Sequence, residues 1–117
     1  LIWAALGLTA TASNSLSSTT PYSQTNPLAI WCTATGAPSE TGTANYYLVL
    51  TARYENHGSR PIAPIGIRFD FRDRSGNVVA SHTVIDSAGL AAGYANSGRW
   101  QLIGYPINAV SLRCLRA

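Results

Sequence analysis

The sequence predicts an all-β domain: an antiparallel sandwich of about six or seven short strands behind an apolar amino-terminal arm. Three observations carry this prediction. From residue 28 onward, apolar side chains recur with a period of two. Clusters of Gly, Pro, Asn and Ser interrupt these runs at short intervals, as turns between strands do. No stretch sustains a helical period; the best candidate, residues 78–93, breaks on Ser81, Thr83, Ser87 and Gly89. At 117 residues the chain amounts to a single domain, which on folding buries roughly two-thirds of its unfolded surface.

The amino-terminal third is unusual in its lack of charge: Glu40 is the first charged side chain. Residues 1–8 are continuously apolar, with Leu1, Ile2, Trp3, Leu6 and Leu8 as the large side chains. Ala10-Thr11-Ala12 follows, the small-x-small pattern that ends a secretory signal peptide. Such a run falls short of the ~20 residues that a helix needs to cross a hydrocarbon core. A complete membrane anchor would require residues upstream of Leu1. The arm, residues 1–12, is therefore expected to lie against its own domain, a neighbouring subunit or lipid. Residues 13–27 are rich in Ser and Thr and punctuated by Pro21 and Pro27. They read as a polar, extended strap joining the arm to a domain of residues 28–117.

Within that domain, residues 28–34 form a first strand and 37–44 a loop. Residues 46–56 form a long strand, with Leu48, Leu50, Ala52 and Tyr54 on one face and Val49, Thr51, Arg53 and Glu55 on the other. The stretch 57–61 turns the chain. Ile65, Ile67, Phe69 and Phe71 then alternate with Gly66, Arg68, Asp70 and Arg72, the signature of a half-buried strand. Asp73-Arg74-Ser75-Gly76-Asn77 is a hairpin turn. Residues 78–85 return, 88–93 connect, and 97–103 and 109–115 are the last two strands.

The two cysteines fall on opposite ends of this pattern. Cys32 is in phase with Leu28 and Ile30, and Cys114 with Val110 and Leu112, so both face the core. A bridge between them would close nearly the whole domain into one loop and would require an oxidising compartment, in accord with the signal-like amino terminus. The alternative is two separate buried thiols.

Residues 47–93 resemble the FxLYD-type domain, a small immunoglobulin-like module of bacterial secreted and envelope proteins. The likeness runs through Leu50-Thr51-Ala52-Arg53-Tyr54-Glu55-Asn56, a strand ending in Asn before a turn, and Phe69-Asp70-Phe71-Arg72-Asp73. There Phe69 and Asp73 keep the ends of the family's motif, while Phe71 and Arg72 replace its Leu and Tyr. Gly76-Asn77-Val78-Val79 is similar to its turn and return strand, and Leu90-Ala91-Ala92-Gly93 to its later turn. The resemblance implies an extracytoplasmic immunoglobulin-like β-sandwich of adhesion or assembly type, with no catalytic residues to carry over.

The chemistry of the side chains points away from catalysis. Charged residues are only 11% of the chain; all eight bases are Arg, without a cluster, which disfavours nucleic acid as a partner. His57 and His82 are the only histidines, and His82, between Ala80 and Val84 on its face, reads as a packing residue. Neither the two cysteines nor the histidines with Asp70, Asp73 or Asp86 have the spacing of a metal site. The 73–77 turn lacks the alternating acids of a calcium loop. No Gly-x-Ser-x-Gly elbow occurs, and Asp70 and Asp73 fall on opposite faces or at a turn. No catalytic, cofactor-binding or metal-binding residue is assigned, and no cofactor is expected. Arg68, Asp70 and Arg72 form an outward row, either a solvated face or an anion- or glycan-binding ladder. Trp31, Tyr94, Trp100 and Tyr105 are the aromatic candidates for a ligand or partner surface, with Trp31 expected to face outward because it is out of phase with Cys32.

The expected function is that of a non-catalytic extracytoplasmic structural subunit, docking through the arm into a neighbouring copy, another protein or a membrane-embedded complex. The alternative is a secreted glycan- or ligand-binding module. A small secreted hydrolase using His57 or His82 is the remote third.

Overall fold

A computed structural model describes residues 14–38, 46–103 and 109–117. Seven antiparallel strands account for most of them: β1 (Asn14–Thr20), β2 (Leu28–Pro38), β3 (Tyr46–Asn56), β4 (Ile65–Arg72), β5 (Val78–Asp86), β6 (Ala95–Ile103) and β7 (Ser111–Arg116). They form two sheets, ordered β1-β2-β3-β6 and β5-β4-β7. The chain crosses between sheets after β3, β5 and β6, while β1–β2, β2–β3 and β4–β5 are neighbours within a sheet. The all-β sandwich is thus as expected. Its likeness to immunoglobulin domains is one of architecture, because the strand order is not the one in which the first, second, fifth and fourth strands share a sheet. Among the described residues no helix is long and apolar enough to cross a membrane.

The core is the sum of the alternating faces. Leu28, Ile30, Cys32 and Ala34 of β2 and Leu48, Leu50, Ala52 and Tyr54 of β3 meet Ile65, Ile67, Phe69 and Phe71 of β4 and Leu112 and Cys114 of β7. Each of these side chains is buried. Cys32 and Cys114 form the bridge, with their Cα atoms 6.4 Å apart, and so staple the four-stranded sheet to the three-stranded one.

One expectation needs correction. The strap of residues 13–27 is not a connector over its first half: Asn14–Thr20 is β1, paired along its whole length with β2 from Asn14↔Gly36 to Thr20↔Ile30. Only Leu16 supplies an apolar side chain to the core from this strand. What holds β1 is backbone pairing and its position over the disulfide. The Ser18 carbonyl oxygen lies 3.6 Å from Cys32 Sγ and 3.7 Å from Cys114 Sγ, and Thr20 Oγ1 donates to the Cys114 carbonyl at 2.5 Å. A strand secured this way carries almost no hydrophobic signal in sequence. β2 also continues to Pro38, past the expected strand end at Ala34.

The hairpin turn between β4 and β5 is as expected. Asp73 Oδ1 accepts from the backbone N–H of Ser75 and Asn77, and Gly76 takes a positive φ of 84°.

Two polar links join the sheets at the other end. Asn56, 1% exposed, donates from Nδ2 to the carbonyls of Arg60 and Leu90 and accepts from the Gly58 N–H. Gly89, at φ +68°, is required there: a Cβ would stand 2.0 Å from the Ile62 carbonyl oxygen. The second link is the Tyr54 hydroxyl, which donates to Asp86 Oδ2 at 2.6 Å, while Asp86 Oδ1 accepts from the N–H groups of Ala88 and Gly89. Burial, together with the hydrogen bond to Asp86 and its negative charge, pushes the Tyr54 hydroxyl up to about 12. The same bond, helped by the two backbone donors, holds the Asp86 carboxyl below its ordinary value.

Asp86 therefore stabilises the fold when ionised. Its contribution is complete above the unfolded carboxylate range, near pH ~4, and is lost as pH falls through the lowered folded value. Tyr54→Phe is expected to lower stability by about 1–2 kcal/mol, since one hydrogen bond to a partly solvated charge disappears. It should also flatten the loss of stability below pH ~5. Urea unfolding of both proteins between neutral and acid pH checks each part; an unchanged acid slope would contradict it.

Candidate functional site

The outer face of the four-stranded sheet is built by the side chains that alternate with the core. Registers across β1, β2, β3 and β6 place Ser17, Thr33, Thr51 and Arg99 in one row and Thr19, Trp31, Arg53 and Ser97 in the next. Between and beneath these rows lies an open trough of about 670 Å³. Its floor includes the small residues Ser18, Cys32, Ala52 and Gly98, which leave the sheet backbone close to the surface.

The walls combine an aromatic ring, hydroxyls and two guanidinium groups. Trp31 is 39% exposed, a large solvent-facing surface for an indole. Thr33 and Thr51 hydroxyls are hydrogen-bonded to each other, and Ser15 and Thr35 form a similar pair one row away at 3.1 Å. Arg53 is held in place: its Nε and Nη2 donate to Glu55 Oε2 at 3.0 and 2.8 Å. Glu55 Oε1 in turn lies 3.0 Å from His57 Nε2, and the His57 ring stacks on Tyr22 at a centroid distance of 4.1 Å. The Arg53 hydrogen bond, with the His57 contact, keeps the Glu55 carboxyl below its usual value. Arg99 makes no hydrogen bond or ion pair among the described residues and stands open at the β6 edge. A smaller hollow of about 340 Å³ adjoins the trough, sharing Arg53 and bounded by Glu55, His57, Gly58 and Gly93.

Chemically, such a surface can hold a polar ligand with a flat apolar side. An indole face offers stacking area, hydroxyls offer donors and acceptors, and guanidinium groups offer charged donors. His57 belongs to the Arg53–Glu55 chain on this face, whereas His82 is half-buried opposite Phe69 in the other sheet. Among the described residues, no group of three or more His, Cys, Asp or Glu side chains is positioned to hold a metal ion.

The residues singled out in the sequence fare unequally. Trp31 faces outward as expected and lies in the trough. Trp100 does not join it: it points to the interior side of β6, edge-on to Phe69 with centroids 6.1 Å apart, over the space left by Gly98. Its role is to close the core at the sheet edge. Tyr94 is exposed in the connection before β6, away from the trough lining. Arg68 and Arg72 lie on β4, on the outer face of the opposite sheet. Tyr105 and the arm residues Leu1, Ile2, Trp3, Leu6 and Leu8 lie outside the described residues.

Arg53, Arg99 and the hydroxyl rows were not singled out. The period-two reading already placed Thr51 and Arg53 on the non-core face, but only the sheet order brings them beside Trp31 and Arg99. Compared with known protein families, curated proteins and solved structures, the chain matches none.

Proposed function

We propose that the chain is a non-catalytic, extracytoplasmic binding module that takes a glycan segment in the trough of the four-stranded sheet. The observation that supports this reading is the row Thr19–Trp31–Arg53–Ser97, in which an exposed indole is flanked by hydroxyls and a fixed guanidinium. A sugar ring has one apolar face and a rim of hydroxyls, which is the complement of that row. The extracytoplasmic assignment is supported by the Cys32–Cys114 bridge, since disulfides persist in oxidising compartments. Kinship with FxLYD-type modules belongs to the same reading, through the Asn56 corner and the Asp73 turn.

Binding of the whole chain to an array of oligosaccharides, followed by titration calorimetry on the hits, tests the proposal. Trp31→Ala is expected to weaken binding at least about tenfold, the equivalent of ~1.4 kcal/mol, with an unchanged melting temperature. Binding that survives this substitution, or an array with no hits, would overturn it.

The second reading is assembly through residues 1–12, and one observation favours it. β1, which directly follows those residues, is a sheet-edge strand, the position from which a segment can pair with a neighbour. In the same preparation, self-association that disappears when residues 1–12 are deleted, with glycan binding intact, would add this role. Association that persists would remove it.

A further inference from the structure

The outer face of the three-stranded sheet concentrates positive charge in a chain that has little charge to distribute. Arg68 and Arg72 of β4 share that face with Arg113 of β7, three of the eight basic residues. The register sets Arg113 directly beside Asp70 and Ser111 directly beside Arg72. Arg72 and Arg113 are therefore diagonal neighbours, a relation that puts positions about 7–8 Å apart, within reach of long side chains.

Asp70 is the single acid on this face among the described residues, and it is already committed. It is 4% exposed and accepts from Arg68 Nε at 2.9 Å and from Ser81 Oγ at 2.7 Å. Burial alone would raise its carboxyl, but the hydrogen bonds from Ser81 and Arg68 and the charges of Arg68 and Arg72 outweigh it and hold the group below its usual value. Among the described residues, Asp70 thus forms its ion pair with Arg68. The side chains of Arg72 and Arg113 make no hydrogen bond or ion pair among the described residues. The Nε of Arg72 is moreover buried without a hydrogen-bond partner. A buried N–H donor left unsatisfied, next to a second unpaired guanidinium, is destabilising on both counts. An oxyanion accepting from the outer nitrogens of Arg72 and from Arg113 would offset the repulsion between the two guanidinium groups.

We infer that this face binds sulfate or phosphate ester groups displayed on a polysaccharide. Guanidinium groups match tetrahedral oxyanions through paired N–H donors, and two of them from adjacent strands can bracket one such group. Arg68 lies four positions along β4 from Arg72, an extended distance of about 13 Å. It lends longer-range attraction to a second charge on the same polymer. The site is separate from the trough, which lies on the opposite face of the sandwich.

The test is binding of the whole chain to a fluorescent sulfated hexasaccharide and to its desulfated counterpart, at low and at physiological salt. Sulfated ligand is expected to bind, to weaken with salt, and to lose about tenfold or more in affinity in Arg72→Gln/Arg113→Gln. Arg60→Gln/Arg116→Gln, the same change in net charge elsewhere, should alter affinity less than about twofold. Equal losses in the two double variants, equal binding of the desulfated sugar, or no binding at low salt would overturn the inference. Nitrogen-15 spectra of the unmodified chain titrated with inorganic phosphate give an answer independent of any variant. The Arg72 and Arg113 Nε–H signals should shift while that of Arg53, already bonded to Glu55, stays; shifts elsewhere only would contradict the site.

Discussion

Cys32→Ala/Cys114→Ala is expected to unfold with about 4–5 kcal/mol less free energy than the parent chain. The bridge joins positions 82 residues apart, so in the chain-entropy account it closes a long loop in the unfolded ensemble and removes the corresponding conformational entropy. Both sulfurs are buried, so the substitution adds a small packing loss to the entropic one. A domain of this size has only about 5–15 kcal/mol in total, so the variant approaches the limit of folding at body temperature. Reduction of the parent chain should give nearly the same loss without the packing component. The geometry also predicts where loosening begins. β1 lies over the bridge, its Ser18 carbonyl in contact with both sulfurs and its Thr20 hydroxyl donating to the Cys114 carbonyl, with Leu16 as its one core side chain. Amide exchange in residues 14–20 should accelerate before that of β3 or β4. A stability loss under about 1 kcal/mol, or β1 protected as well as β3 after reduction, would contradict this account.

Asn56→Leu is expected to cost about 2–4 kcal/mol. The side chain fills a fully buried site at the end of β3 and makes three hydrogen bonds to backbone groups of two loops. Its loss strands the Arg60 and Leu90 carbonyls and the Gly58 N–H, and unsatisfied buried groups cost more than the average net hydrogen bond. The backbone of Asn56 is bonded to Gly93 and Tyr94 as well, so the crossing from β3 to β4 and that from β5 to β6 should loosen together. Asn56→Asp should be no milder, because it keeps the acceptor for Gly58 but turns a charged oxygen toward two carbonyls. His57→Ala, one residue on and exposed, is the control and should stay within about 0.5 kcal/mol. Urea denaturation of the three variants decides the matter; a cost for Asn56→Leu no larger than the control's would refute it.

These two sites illustrate what local pattern can reveal. The phase of Cys32 and Cys114 was readable because each lies in an alternating run; two inward-facing sulfurs made a bridge possible, and the pairing of the two sheets decided it against two separate thiols. Asn56 was readable only as a polar residue at a strand end. Its burial depends on the loops at Arg60 and Leu90 folding over it, and nothing within a few residues encodes that. β1 went unseen for a related reason: backbone pairing to β2 needs no apolar periodicity, so a Ser- and Thr-rich strand reads as linker.

What the sequence determined by itself is therefore the material with strict short-range periodicity. That includes the all-β class, the inward faces of β3 and β4, the 73–77 turn, the cysteine phase and the outward aim of Trp31. A strand's two faces are set by a period of two, which a handful of neighbouring residues suffices to define. Tertiary structure alone decided which strands lie side by side. That choice made a trough of Trp31, Arg53 and Arg99 on one sheet and brought Arg72 to Arg113 on the other. It also turned Trp100 inward over Gly98 and onto Phe69. Strand order depends on the complementarity of whole faces brought together from distant parts of the chain, and no local pattern records it.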